Sequence, residues 1–87
     1  MAAKVEIYTR SFCGYCSSAK SLLASKGVAF EEIDGLDPDK RREMIQRSNG
    51  GYTYPQIFIN GVHVGGSDEI HDLDAEGRLD DLLAQAA

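Results

Sequence analysis

The stretch Cys13-Gly14-Tyr15-Cys16 stands between two runs of different periodicity, and that position narrows the folds open to the chain. Before it, Val5, Ile7 and Thr9 alternate with Glu6, Tyr8 and Arg10, and the β-branched residues predict a strand over 5–9. After it, Cys16, Ala19, Leu22 and Leu23 recur at helical spacing. They predict a helix from about Tyr15 to Lys26, with Gly27 at the C′ position. A dithiol at a strand-to-helix junction suits reversible disulfide chemistry, because a three-residue spacing is nearly one helical turn and puts both sulfurs on one face. Cys13 comes first, where backbone N–H groups lack intrahelical partners and the helix dipole is positive. A thiolate is stabilised there, and the thiolate is the nucleophile. Cys16 lies one turn further in, more buried, as the resolving thiol.

The chain has two cysteines, whereas a structural zinc site takes about four ligands. His63 and His71 fall in a separate strand and helix at no zinc-finger spacing, so the redox reading of C-x-x-C takes precedence and no metal site is expected. A length of 87 residues predicts a single domain, 1–87, with one core. The formal net charge of −5 argues against a nucleic-acid partner, which would favour a basic surface. No apolar run approaches bilayer-spanning length, and the first residues lack the apolar segment of an export signal. The expectation is a cytoplasmic protein without a membrane partner, in a reducing compartment where such a cysteine pair is catalytic.

Downstream, Val28 to Ile33 predicts a second strand, and strand, helix and strand in this length form a βαβ unit with parallel strands. Asp37 and Pro38 suit the N-cap and first residue of a helix running to about Ser48. Met44, Ile45 and the aliphatic carbons of Arg41 form its sheet-facing side, and Glu43 and Arg47 have the spacing of an i,i+4 pair. Gln56-Ile57-Phe58-Ile59 and Val62-His63-Val64 read as a hairpin turned at Asn60-Gly61. Ser67 is the expected cap of a helix beginning Asp68-Glu69-Ile70, and Gly77 separates it from a last helical stretch, Leu79 to Ala86. The order β-α-β-α-β-β-α gives a four-stranded mixed sheet with helices on both faces.

This order, with a redox C-x-x-C after the first strand, resembles the thioredoxin fold, an α/β architecture with sheet order 2-1-3-4. The closer resemblance is to the glutaredoxins. It is carried by Val5-Glu6-Ile7-Tyr8-Thr9 before the Cys13–Cys16 motif, by Thr53-Tyr54-Pro55-Gln56-Ile57-Phe58-Ile59, and by Gly65-Gly66-Ser67-Asp68-Glu69. The resemblance implies a cis bond before Pro55, with the Tyr54 backbone facing the cysteines. It also implies glutathione binding by Arg10, Tyr15, Thr53, Tyr54, Pro55, Gly66, Ser67 and Asp68. The γ-glutamyl carboxylate would sit on the Ser67 and Asp68 amides, its ammonium near the Asp68 carboxylate, and the glycyl carboxylate near Arg10. Tyr54 stands where the family usually has valine and would bring an aromatic ring close to the ligand groove. Gly14 replaces the proline of the commonest dithiol motif, which leaves φ free and an N–H in place.

The implied activity is that of a dithiol glutaredoxin, a glutathione-dependent thiol–disulfide oxidoreductase that carries electrons in cell redox homeostasis. Its partners would be glutathione, as co-substrate, and glutathionylated or disulfide-containing proteins, with the chain a monomer. Cys13 would attack the mixed disulfide, and Cys16 would resolve protein disulfides. An alternative of another class is a carrier of a [2Fe–2S] cluster, which takes four thiolates. Two chains would each give Cys13, with two glutathiones completing a cluster-bridged homodimer, and Gly14 would give the loop its freedom. A thioredoxin-like donor served by thioredoxin reductase is a third reading, and it leaves Arg10 and Ser67-Asp68 without a role.

Overall fold

Val5–Thr9 (β1) has strand-forming residues on both of its faces, and all of them are buried. In the computed structural model, which describes residues 3–85, this strand is followed by α1 (Gly14–Ser25), β2 (Glu31–Asp34), α2 (Pro38–Arg47) and β3 (Gln56–Ile59). The remaining elements are β4 (Val62–Gly65), α3 (Ser67–Ala75) and α4 (Leu79–Ala84). The sheet order is β2-β1-β3-β4. β1 runs parallel to β2 and antiparallel to β3, and β3 pairs antiparallel with β4. This is the mixed thioredoxin-type sheet expected from the sequence. Asn60 and Gly61, at φ 52° and 79°, make the tight hairpin turn. None of the described helices is long and apolar enough to cross a membrane.

The two faces of the sheet carry different cores. On one, Val5, Ile7, Ile57 and Ile59 pack with Ala19 and Leu23 of α1, Ile70 of α3, and Leu79 and Leu83 of α4. On the other, Tyr8, Ile33 and Phe58 pack under Met44 of α2. Lys26, the C-cap of α1, ties the first layer together through ion pairs to Asp74 at 2.6 Å and Asp80 at 3.0 Å.

Several boundaries differ from those read in the sequence. β2 begins at Glu31 rather than Val28: the register that sets Glu6 beside Glu31 leaves Phe30 level with the first residue of β1 and carries residues 28 and 29 past its start. Val28 and Phe30 still pack against the first core, but without a strand partner. α1 starts one residue earlier than expected, at Gly14, and α4 ends at Ala84, with Ala86 outside the described residues.

The charged face of α2 holds the largest departure. Arg41 is exposed; Arg47 lies across the sheet instead. Its guanidinium sits 4.1 Å from the centroid of Phe58 and grips the Glu6 carboxylate with two hydrogen bonds, at 2.9 and 3.2 Å. It also donates to the Tyr8 hydroxyl at 2.8 Å. The Tyr8 hydroxyl in turn donates to Glu43, so Glu43 meets Tyr8 rather than the expected Arg47. Bidentate geometry and partial burial make this pair stronger than a surface salt bridge.

Replacement of Arg47 by Met is expected to cost about 2–3 kcal/mol at neutral pH, because it strands a nearly buried carboxylate. The hydrogen bond from Arg47 is the main cause that holds Glu6 below its ordinary value of 4.5, against the opposing effect of burial. A carboxyl lowered on folding stabilises the fold above its unfolded value and loses that contribution as pH falls through the folded one. In denaturant titrations the gap between wild type and Arg47→Met should therefore be full at neutral pH and narrow below pH 4.5. A gap that persists unchanged to about pH 3 would contradict the linkage.

Candidate active site

Residues 10–13 carry the chain over the end of β1 into α1. Cys13 is the N-cap, in extended conformation, and its Sγ accepts a hydrogen bond from the Cys16 N–H at 3.1 Å. The two cysteines are paired as a disulfide, with Cα atoms 5.2 Å apart. The first turn of α1 contains no acidic residue, so the partial positive charge of its free N–H groups is left for Cys13. Cys16 is 2% exposed, whereas Cys13 is half-buried. Of the two sulfurs, the first is the more open to a partner and lies at the helix N-terminus, where a thiolate is stabilised. Gly14 adds no side chain here, and a Cβ on it would meet nothing within 4 Å.

Facing the cysteines is the loop before β3. The Tyr54–Pro55 bond is cis, and the Tyr54 carbonyl lies 3.9 Å from Cys13 Sγ. Buried Gln56 fixes this loop from below. Its amide donates to the Thr53 carbonyl at 3.0 Å and Thr53 Oγ1 at 3.1 Å, while its Oε1 lies 2.7 Å from His63 Nε2. Burial lowers the His63 pKa, which favours the neutral ring. Tyr54 borders the groove beside Cys13, as the sequence suggested, and its ring is held in place. Its hydroxyl donates to the Gly35 carbonyl at 2.5 Å, and a Cβ on Gly35 would run into the ring. The glycine of the β2–α2 turn is therefore the seat of the tyrosine.

The third segment is the start of α3. Gly66, not Ser67, is the N-cap; Ser67 is the first helical residue and is buried. The cap contact comes from Glu69, whose carboxylate folds back to accept the Gly66 N–H at 2.6 Å. Gly65 makes room at φ 124°, where a Cβ would press to within 2.7 Å of the Glu69 side chain. A cleft of about 270 Å³ runs between Tyr15, Thr53, Tyr54 and Pro55 on one side and Gly66, Ser67 and Asp68 on the other. An adjoining cleft of about 580 Å³ shares Tyr15, Thr53 and Tyr54 and reaches Cys13 and Arg10. The two clefts thus border Cys13 and all the residues that the sequence assigned to glutathione, whereas Cys16 borders neither.

Other contributors had no clear signal in the sequence. Glu69, Gln56, His63 and Gly35 act through contacts that depend on the folded register. On the Arg10 side of the cysteines, a hollow of about 660 Å³ is bordered by Thr9, Cys16, Lys20 and Glu32. There Glu32 accepts from Thr9 at 2.7 Å and pairs with Lys20 at 2.9 Å, and these two contacts, Thr9 first, lower its carboxyl pKa. Among the described residues no group of three or more His, Cys, Asp or Glu is arranged to hold a metal.

The family model for glutaredoxin matches residues 5–64, a span that contains the dithiol and the cis proline. The chain belongs to the glutaredoxin family. It is 58% identical to glutaredoxin 3 of Escherichia coli K12 over 83 residues, covering 93% of this chain and 98% of that protein. The solution structure of a Brucella melitensis glutaredoxin shares 53% identity with a TM-score of 0.80, covering 94% of this chain and 89% of that one. The crystal structure of a buckwheat glutaredoxin–glutathione complex superposes with a TM-score of 0.82 at 28% identity, over 93% of this chain and 76% of that one. With its adjacent cysteine pair, this member of the glutaredoxin family is a thiol–disulfide oxidoreductase.

The asymmetry of the two sulfurs has a direct test. On reduction, a limiting amount of iodoacetamide at neutral pH should modify Cys13 and largely spare Cys16. That reaction should persist well below pH ~8.5, where an ordinary thiol has lost its thiolate. Mass mapping that finds both cysteines labelled equally would remove the activation argument.

Proposed function

We propose that the protein is a dithiol oxidoreductase driven by glutathione, reducing glutathione mixed disulfides and protein disulfides in a reducing cytoplasm. The observation that carries this reading is the cleft that leads from Cys13 to the first turn of α3. It offers free helix N-terminal amides at Ser67 and Asp68 for a carboxylate and the Asp68 carboxylate for an ammonium. Exposed Arg10 stands at the other end for a second carboxylate. Glutathione carries two carboxylates and one ammonium in an order that fits this spacing of charges. The Tyr54 backbone would pair with its cysteinyl unit like an added strand.

In the proposed cycle, the Cys13 thiolate attacks the glutathione sulfur of a mixed disulfide, and the other thiol leaves. A second glutathione attacks the Cys13 adduct, releasing glutathione disulfide and restoring the thiolate. With a protein disulfide, Cys16 attacks the Cys13 adduct instead, and two glutathiones then reduce the resulting pair.

A coupled assay with glutathione, glutathione reductase and NADPH, on the mixed disulfide of glutathione and 2-mercaptoethanol, tests this reading. Cys13→Ser should be inactive and Cys16→Ser should retain much of the rate. Asp68→Ala should raise KM about fivefold, the effect of one partly solvated charge-assisted bond, with kcat little changed. No turnover by wild type would refute glutathione dependence, and turnover supported only by thioredoxin reductase would replace it with a thioredoxin-like role.

The cluster-carrier alternative requires thiolates from outside the chain, since Cys13 and Cys16 are its only cysteines. Anaerobic reconstitution with iron, sulfide and glutathione decides it. Under that alternative the wild type gives a coloured dimer and Gly14→Pro, with φ fixed and an N–H removed, gives little. A colourless monomer leaves the oxidoreductase alone.

A further inference from the structure

Phe12, immediately before the nucleophile, breaks two rules at once. Its backbone is left-handed, at φ 54°, a conformation that bulky L residues rarely adopt. Its side chain is fully exposed, at 103%, so no packing in the fold offsets either the strain or the solvated ring. Strained backbone that the core does not explain is concentrated at functional sites. Tyr52, 66% exposed, lines the same cleft with Phe12 and Cys13. Three exposed aromatic rings thus border the one sulfur that a substrate must reach, and of them Tyr15 also lines the cleft towards α3, whereas Phe12 and Tyr52 do not.

We propose that Phe12 and Tyr52 form a docking rim for the protein half of a disulfide substrate, namely an extended segment with an apolar side chain beside its cysteine. The occupant follows from continuity with the reaction centre. A substrate sulfur bonded to Cys13 would bring its own chain into the cleft that Phe12, Tyr52 and Tyr54 line, where the Tyr54 carbonyl lies 3.9 Å from Cys13 Sγ. Aromatic rings exposed at such a point gain by covering apolar surface, not by recognising charge. Glutathione would enter this cleft only with the carboxylate end that Arg10 receives, its other units lying along the groove towards α3, so the aromatic rim would act chiefly on the apolar side chains of protein substrates.

The proposal rests on the oxidoreductase reading, and its redox step is the same one. The Cys13 thiolate bonds to one sulfur of the peptide disulfide and the other leaves as thiolate. Cys16 thiolate then attacks Cys13, so the peptide gains two electrons as two thiols and the protein becomes the Cys13–Cys16 disulfide. Glutathione or dithiothreitol returns the electrons.

The test compares two peptide disulfides, one with Phe or Leu next to cysteine and one with Ser there, against the mixed disulfide of glutathione and 2-mercaptoethanol. Phe12→Gly suits the left-handed backbone and removes no buried contact, so the loop keeps its shape. It should lower kcat/KM for the apolar-flanked peptide about tenfold, the effect of losing one aromatic contact. The Ser-flanked peptide and the glutathione substrate should stay within about twofold, and Phe12→Leu should restore most of the loss. Equal loss on all three substrates, or no loss on any, overturns the rim. Failure of the glutathione reading is separable, because the peptide comparison can be run with dithiothreitol as the sole reductant and still show or lack the selective loss.

Discussion

The antiparallel pairing of β1 with β3 is the constraint on which the site depends. Its register places Tyr8 opposite Gln56, so whatever follows β1 meets whatever precedes β3 at one edge of the sheet. That is how Cys13 and Tyr54, 41 residues apart, come face to face. The β3–β4 pairing repeats the device, setting Gly65 beside Ile57 and delivering the start of α3 to the same edge. Three segments that are remote in sequence thus converge at one edge, the middle one at the end of the irregular connection 48–55. The cores on the two faces hold this register, since sliding a strand by one residue would move the side chains fitted to one core into the other.

Much of this was legible in the sequence because periodicity and turn chemistry report it locally. The alternation of Val5 to Thr9, the Asn60-Gly61 turn and the glycine after α1 each carry their own physical reason. The α2 layer was less legible. An arginine side chain is long enough to reach a sheet from several positions, and which one does so depends on where the sheet presents a carboxylate. Glu6 is presented beneath Arg47, with Phe58 as its floor, and no i,i+4 rule within α2 could show that. The start of β2 failed for a related reason. Val28 has a strand-like side chain, yet a strand exists only where a neighbour offers its backbone.

The site itself shows the same division. The dithiol and the proline were readable as chemistry, but the parts that hold them were not. Ser67 is a good capping residue by type, yet the left-handed Gly65 lets Glu69 fold back and take the capping role, which makes Ser67 the first buried residue of the helix. Tyr54 does border the groove, but what holds its ring was not readable: a turn 19 residues earlier supplies a glycine for the ring and a carbonyl for the hydroxyl. In both cases a glycine with no chemistry of its own decides where a polar or aromatic neighbour goes.

Two helix N-termini end at this edge, and the chain treats them differently. The first turn of α1 carries no acid, so its positive pole is uncompensated and faces only Cys13. The first turn of α3 carries Asp68 and Glu69, and Glu69 already occupies the Gly66 amide. One pole therefore favours a bare anion such as a thiolate, whereas the other pairs free amides with a fixed negative charge. A simple anion gains little at the second pole, because the carboxylates beside it repel what the amides attract. A zwitterionic amino-acid end, with its carboxylate on the amides and its ammonium on Asp68, satisfies both. This split of polarity, in a protein whose net charge is −5, lets anionic sulfur collect at Cys13 while the proposed γ-glutamyl end is held at α3.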